Sequence, residues 1–348
     1  MKAAVVILNW NTRKYLEDFL PGLIASCRGL DSKVFVADSG STDGSLDYVR
    51  TTEAEALPLG ANYGFTGGYN RALTMDAEYY VLINSDIEVP EGWLRPLLEY
   101  MDANPDCGIC GPRLHAWQDR GRFEYAGAAG GYVDRFGYPY CRGRVLSRTE
   151  RDEGQYSAGP KDVLWITGAC LVVRSSLWRE LGGLDDRFFA HMEEIDLCWR
   201  AHFLGYRVTV VPSSVVYHIG GGTLAPQSPF KLKLNFRNSL MLLSKNLQPT
   251  FEGRGMSPRR AAAKAGRILA FRRLLDFGSM LVYSLTGKRE FARAVRDARR
   301  EFRTMDPRPG TNPALNPVRG YTKHCILPLS VLKGAKVFKY LSDDESSN

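Results

Sequence analysis

The sequence predicts an α/β protein with a mixed, mostly parallel central sheet, and three stretches carry that expectation. Short apolar runs at residues 3–8, 33–37 and 81–83 each stop abruptly at small polar residues. Strands that are apolar throughout are buried on both faces, as happens when helices cover a parallel sheet. Ligands of such sheets gather at the carboxyl ends of the strands, where these polar groups stand. The pattern is that of a nucleotide-binding sheet, although no G-x-G-x-x-G follows the first strand, which argues against a dinucleotide fold.

Residues 3–8 form a β-branched-rich strand, Asn9, Trp10, Asn11 and Thr12 turn the chain, and a helix follows over residues 15–23. The second strand, residues 33–37, runs into D-S-G-S-T-D-G-S (residues 38–45), small polar groups that can cap a helix over residues 45–50. In N-Y-G-F-T-G-G-Y-N-R-A-L (residues 62–73), Gly64, Gly67 and Gly68 stand just ahead of a helix expected from Tyr69. Glycines there permit close backbone approach, and a helix N-terminus favours an anion. The run V-L-I-N-S-D-I-E-V (residues 81–89) then breaks at Asn84, Ser85 and Asp86. A hard divalent cation takes oxygen ligands, and one carboxylate plus diphosphate oxygens is a usual way to hold Mg²⁺. The same residues also suit a plain strand-to-turn junction.

Residues 115–161 are rich in Gly, Tyr and Arg with little periodicity, and are expected to form an acceptor-side hairpin or mobile loop. Later, Ile195, Cys198, Trp199 and Phe203 have helical spacing over residues 193–204, Gly205 suits the position after the helix, and residues 206–211 resume as a strand. Glu193, Glu194 and Asp196 therefore crowd into the first helical turn. A helix N-terminus keeps carboxylates ionised, ready to accept a proton, though the same placement serves helix stability alone.

Composition sets outer bounds. With 44% hydrophobic and 24% charged residues in 348, the chain can bury a large core. The longest membrane-span candidate, residues 277–285, is about half the length a bilayer requires. The N-terminal apolar run is too short for a signal-peptide core, so a first strand and a cytoplasmic protein are expected. Seven cysteines without framework spacing point to a reducing compartment, and Cys107 and Cys110 sit where a strand meets a turn rather than in a paired metal motif. Residues 251–348 hold 20 Lys and Arg against 9 Asp and Glu, so a near-neutral body carries a basic tail.

The set L-N-W-N, V-A-D-S-G-S-T-D-G-S, N-Y-G-F-T-G-G-Y-N and L-I-N-S-D, in this order, resembles the family 2 glycosyltransferases, most of all the rhamnosyltransferase-like branch of bacterial surface polysaccharide synthesis. The stretch from Trp165 to Val208 resembles that family's acceptor region, and V-Y-H-I-G-G-G-T-L follows in the expected place. The resemblance implies a GT-A fold over residues 1–245 as the catalytic domain, with residues 246–348 a basic helical extension. It implies a UDP- or dTDP-sugar donor, Mg²⁺ or Mn²⁺, and a saccharide or lipid-linked saccharide acceptor. Asn84, Ser85 and Asp86 take the family's D-x-D position, with Asn replacing the first Asp, and His218 matches a histidine that can complete the metal shell. Asp38 resembles the carboxylate that accepts the ring N–H of uracil or thymine. Leu8 backbone, Asn9 and Asn11 would line the same pocket, with Asp43, Asn62, Gly67 and Gly68 also on the donor side. Glu194 stands where the family usually has its catalytic Asp, with Glu193 and Asp196 as the neighbouring candidates.

The chemistry implied is an inverting transfer, which needs a cation for the diphosphate and a base for the acceptor hydroxyl. Transfer directly to a polyprenyl phosphate, or a catalytically silent sugar-nucleotide-binding protein at a membrane surface, are the competing readings. In the tail, Phe291, Val295, Ala298 and Phe302 fall at helical intervals among arginines, and residues 268–283 form a more apolar companion. Such a basic amphipathic helix suits an anionic membrane surface, peripheral on the inner face of the plasma membrane, and equally suits packing on the catalytic domain. Residues 307–320 read as an extended linker and residues 342–348 as a frayed end. No nucleic-acid-binding motif accompanies the charge, so nucleic acid is not an expected partner.

Overall fold

The computed structural model describes residues 1–220, 228–305 and 315–345. The chain opens with β1 (Ala3–Asn9), α1 (Arg13–Cys27), β2 (Ser32–Asp38), α2 (Ser45–Val49), β3 (Glu55–Pro58), α3 (Gly64–Ala72) and β4 (Tyr79–Ile83). Next come β5 (Ile87–Glu88), α4 (Arg95–Ala103), the long β6 (Cys107–Ala116) and β7 (Asp119–Phe123). A minor sheet contains β8 (Gly131–Val133), β9 (Pro139–Cys141), β10 (Arg144–Val145) and β11 (Arg148–Thr149). The main sheet resumes with β12 (Lys161–Asp162) and β13 (Cys170–Arg174), followed by α5 (Ser175–Leu181), α6 (Glu193–Phe203) and β14 (Arg207–His218). The rest is helical: α7 (Pro229–Gly253), α8 (Pro258–Leu285), α9 (Arg289–Thr304), α10 (Ile326–Lys333) and α11 (Val337–Glu345).

The main sheet has the order β12-β14-β6-β13-β4-β1-β2-β3. β3, β2, β1 and β4 are parallel, as are β6 and β14, while β13 runs antiparallel to both of its neighbours. The sheet is therefore mixed and mostly parallel, as expected. Alternation along β1 explains the layers: Ala3, Val5 and Ile7 join Leu16, Leu20 and Leu23 of α1 on one face, and Ala4 and Val6 join Tyr69 and Ala72 of α3 on the other. From β1 the chain winds outward to β2 and β3, then crosses back to β4 on the other side. That reversal opens a crevice at the carboxyl ends of β1 and β4.

Several boundaries differ from expectation. α3 begins at Gly64 rather than near Tyr69, so Gly67 and Gly68 lie inside the helix. Residues 115–161 contribute β7 and the minor sheet instead of one hairpin or a loop, and Tyr132 is buried, stacked on Tyr140 at 5.5 Å between ring centroids. The expected domain boundary at 245 falls within α7, which continues unbroken to Gly253. α9 turns Val295, Ala298 and Phe302 inward against α7 and α8, so its apolar side is consumed by packing. The expected linker at 307–320 lies largely outside the described residues. Of the expected frayed end, residues up to Glu345 belong to α11 and 346–348 lie outside them. All seven cysteines are free.

α7 holds the segment that leads into α6. The amide nitrogen of Asn238, itself fully buried, lies 2.9, 2.8 and 2.8 Å from the carbonyl oxygens of Phe188, Ala190 and His191. Those carbonyls belong to a segment in which Phe189, His191 and Met192 have φ of 64°, 71° and 74°, a left-handed conformation that costs non-glycine residues energy. Asn238→Ala should therefore lower unfolding stability by about 1–3 kcal/mol, the cost of stranding buried carbonyls, read as a reduced urea midpoint.

Candidate active site

Strand register brings the first polar groups together. Asn9 and Asp38 are partners in the β1–β2 pairing. Asn9 Nδ2 donates to Asp38 Oδ2 at 2.7 Å and to Ser41 Oγ at 3.0 Å, while Asp38 Oδ1 accepts from the amides of Gly40 and Ser41 at 3.1 and 2.9 Å. Thr12 Oγ1 hydrogen bonds Asn9 Oδ1 and lies 2.9 Å from Ser85 Oγ, which ties the end of β1 to the turn after β4. Ser39 Oγ is buried with no hydrogen-bond partner among the described residues, leaving one polar atom for a ligand to satisfy.

Other donor-side candidates are occupied by turns and caps. Asn11, at φ 54°, accepts the Thr42 amide on Oδ1 at 2.8 Å. Asp43 accepts the amides of Arg13 and Ser45 at 2.9 and 3.0 Å, closing the starts of α1 and α2, and exposed Asn62 accepts the Gly64 amide at 2.9 Å at the start of α3. A Cβ on Gly68 would lie 2.6 Å from the Leu8 side chain, and one on Gly67 would lie 2.9 Å from Tyr63 Cβ. Gly68 lets α3 sit close on β1, and Gly67 leaves room for Tyr63 at the start of the same helix.

A second constellation forms where β5 pairs with β14. Their antiparallel register puts His218 opposite Ile87, and so beside Asp86. His218 Nε2 lies 3.2 Å from Asp86 Oδ1, and Nδ1 lies 3.4 Å from Glu124 Oε2 on the other edge of the ring. All three groups are nearly excluded from solvent. Burial pushes the imidazole down, but the carboxylates of Asp86 and Glu124 outweigh it and hold the ring at about 10. In this state the ring is an imidazolium paired with two acids; a divalent cation at Asp86 would take the Nε2 position only as the ring gives up that proton, which a carboxylate facing an imidazole nitrogen permits. Among the described residues no three acidic, His or Cys side chains converge as a complete cage, so a bound cation would take its remaining ligands from a substrate.

The acids of α6 meet three different fates. Asp196 is fully buried, with Oδ2 at 2.8 Å from Arg200 and 2.9 Å from Lys245, and Oδ1 at 3.0 Å from the Asn246 amide. Despite its burial these partners hold its pKa below the usual carboxylate range, which makes it a structural ion-pair anchor rather than a base. Glu193 is also buried, and burial with the neighbouring Glu194 pushes it well up. Glu194 is partly exposed, its Oε2 has no hydrogen-bond partner among the described residues, and burial raises its pKa to about 7. It reaches the crevice through one loop: the Asn84 amide donates to the Ala169 carbonyl at 2.9 Å, and a Cβ on adjacent Gly168 would lie 3.5 Å from Glu194 Cβ.

Residues 4–178 match the family profile of glycosyl transferase family 2. The chain belongs to that family. It is 29% identical over 236 residues to an N-acetylglucosaminyl-diphospho-decaprenol L-rhamnosyltransferase of Mycobacterium tuberculosis, covering 62% of this chain and 75% of the relative. Its fold is similar to that of Staphylococcus aureus TarS residues 1–349, with a TM-score of 0.54, 16% identity and coverage of 87% and 80% of the two chains. It is also similar to the mannosyltransferase PcManGT of Pyrobaculum calidifontis in complex with GDP-Man and Mn²⁺, with a TM-score of 0.51, 15% identity and coverage of 87% of each. The fold of this glycosyltransferase is GT-A.

Sequence reasoning missed Thr12, Ser39 and Glu124 in this glycosyltransferase. Thr12 and Ser39 lie inside stretches already noted, whereas Glu124 follows β7 in a segment without periodicity. Gly68→Ala separates packing from ligand binding: the added methyl meets Leu8 and should lower unfolding stability by about 1–3 kcal/mol in the absence of any donor, as measured by urea denaturation.

Proposed function

We propose that this glycosyltransferase moves a sugar from a UDP- or dTDP-sugar to a hydroxyl of a lipid-linked saccharide, by a single inverting displacement dependent on Mg²⁺ or Mn²⁺, in bacterial surface polysaccharide synthesis. The observation that carries the proposal is the meeting of Asp86 and His218 at the end of β4, one loop away from the unsatisfied carboxylate of Glu194. The mycobacterial relative acts on a sugar linked to diphospho-decaprenol, which supports an acceptor of that class met at a membrane surface.

Each group has one task in this reading. Asp38 accepts the ring N–H of the pyrimidine, with Asn9 and the Leu8 backbone lining the pocket. Asp86 and His218 would hold the divalent cation, which when bound offsets the negative charge developing on the diphosphate. Because Asn84 stands where a second carboxylate is common, the protein would offer a bound cation a single acid there and leave its other ligands to the donor. Glu124 positions the His218 ring from its far edge. Glu194 takes the acceptor hydroxyl proton as that oxygen bonds to the anomeric carbon. The bond from that carbon to the diphosphate oxygen breaks, and the nucleoside diphosphate leaves with the electron pair.

A thermal-shift screen of UDP-, dTDP- and GDP-sugars with Mn²⁺ or Mg²⁺ identifies the donor, since a ligand of the native state raises Tm. With that donor in calorimetry, Asp86→Ala should abolish the metal-dependent part of binding and His218→Ala should weaken it. Glu124→Ala should weaken it about 10- to 100-fold, as loss of a ligand-orienting partner does. Metal-dependent binding by Asp86→Ala equal to wild type rejects the site.

Glu194→Gln should keep donor affinity and lower transfer by about 10²- to 10⁴-fold, the usual worth of general-base assistance. Because the base works only when ionised and its pKa is raised to about 7, the wild-type rate should climb as pH rises through that value and level off above it. Release of nucleoside diphosphate at saturating donor, with a prenyl-diphosphate-linked acetamido sugar as acceptor, reads both effects. A flat profile from pH 6 to 8, or full activity in Glu194→Gln, removes the base from this position.

A further inference from the structure

The basic tail presents its membrane-suited face on α8 rather than on α9. Along α8, residues 260, 264, 267, 271, 274, 277, 281 and 285 recur every three or four positions and so share one face. The first half of that face is cationic, with Arg260, Lys264 and Arg267. The second half is apolar, with Phe271, Leu274, Phe277, Leu281 and Leu285. The apolar half is open, with Leu274 62% and Leu285 87% exposed, while Phe271 rests on Phe136 and Lys264 lies half-buried over Phe251. The helix has one acid, Asp276, and it is buried against Arg272 at 2.9 Å, so nothing negative on α8 opposes the exposed cations.

The surrounding structure extends this surface. Between α8 and the turn after β8 lies a cavity of about 350 Å³ lined by Arg135, Phe136, Lys264, Arg267, Ile268 and Phe271. Its cations suit a phosphate and its rings suit acyl chain. The same turn anchors the entry to α10, where the Arg135 amide donates to the His324 carbonyl at 3.1 Å and the Ile326 amide to Asp134 Oδ2 at 3.0 Å. α10 exposes Val331 and Leu332 beside Lys333. None of the described helices is long and apolar enough to cross a bilayer.

We propose that the exposed face of α8, with the Arg135–Lys264–Arg267 cavity at its basic half, binds the surface of an anionic phospholipid bilayer. The cationic half sits among headgroup phosphates and Phe271, Leu274, Leu281 and Leu285 enter the acyl boundary, as for helices lying in a membrane plane. Charge complementarity selects an anionic bilayer over a second copy of this chain, because a second α8, whichever way it runs, offers no exposed acid to meet these cations. The inference rests on the proposed function only in that the enzyme meets its acceptor at a membrane; the binding itself needs no sugar.

Sedimentation with vesicles tests it. The full chain should bind vesicles containing phosphatidylglycerol and bind phosphatidylcholine vesicles weakly. The paired substitution Leu274→Glu with Leu285→Glu should lower partitioning at least about tenfold, because both side chains lose their apolar burial. Arg260→Gln and Arg267→Gln should each lower it about fivefold at low salt. Leu274→Trp should be quenched by brominated lipid beyond the wild-type signal, a result that surface charge alone does not produce. Donor binding by calorimetry should be unchanged in all of these, so failure of the catalytic reading and failure of this one appear in different measurements. Equal partitioning of wild type and the double Glu variant overturns the proposal. So does a wild-type dimer in sedimentation velocity that the same variant dissolves without any vesicle binding by either form.

Discussion

Because β13 runs antiparallel to β4, with Cys170 opposite Ile83 and Arg174 opposite Tyr79, the chain enters that strand at the edge of the crevice rather than leaving it there. The loop just before β13 is thereby delivered to the carboxyl end of β4, where the Ala169 carbonyl accepts the Asn84 amide. Had β13 been parallel, that loop would lie at the opposite end of the sheet and Glu194 would have no route to the Asn84–Asp86 turn. The same economy operates on the far side, where the last two residues of β14 stay paired with β6 on one edge and take β5 on the other, carrying His218 to Asp86. Strand polarity, more than any one contact, decides which residues from distant parts of the chain face one another.

α6 needs a second constraint, since its first residues follow three consecutive-region left-handed backbones that each cost about 1–3 kcal/mol. α7 holds that segment from two directions. Asn238 gathers its carbonyls, and Lys245 spans Asp185 and Asp196 at 2.6 and 2.9 Å. Removing one partner from a buried ionic cluster leaves charge stranded, so such a cluster tolerates few alternative arrangements. The helical extension is therefore part of what fixes Glu194. A catalytic unit cut at residue 245 would end on Lys245 and lose Asn246, which also bonds Asp196.

Much of this was legible in local sequence. The apolar runs of β1, β2 and β4 and the polar groups that end them located the crevice, and the spacing of Ile195, Cys198, Trp199 and Phe203 located α6. The start of α3 was not legible, because the low helix propensity of Gly64, Gly67 and Gly68 reads as a loop while the demand of Gly68 for close approach to Leu8 is tertiary. The link from His218 to Asp86 spans 132 positions and depends on a two-residue strand, which no periodicity announces. Glu124 had no signal for the same reason. α9 was legible as amphipathic, but amphipathicity does not say whether bilayer or protein covers the apolar side. Val295 and Phe302 answer that by packing inward, which leaves the less patterned α8 as the exposed helix.

The three acids of α6 show how far helix position can carry a functional assignment. All sit in the first turn, where the helix dipole favours the anion by a comparable amount for each. Their surroundings separate them: two cations, Arg200 and Lys245, with the Asn246 amide tie Asp196 into a cluster and hold its pKa down, while burial with Glu194 beside it pushes Glu193 well up. Glu194 alone combines an open edge, an unsatisfied oxygen and a pKa near neutrality, which is the match that proton transfer at neutral pH favours. The extra methylene relative to the family's usual Asp lengthens its reach from the helix, past a Gly168 where even an added Cβ would make only an ordinary contact, at 3.5 Å, with Glu194 Cβ. The surroundings of the three acids thus favour Glu194 over its neighbours independently of the motif that first singled it out.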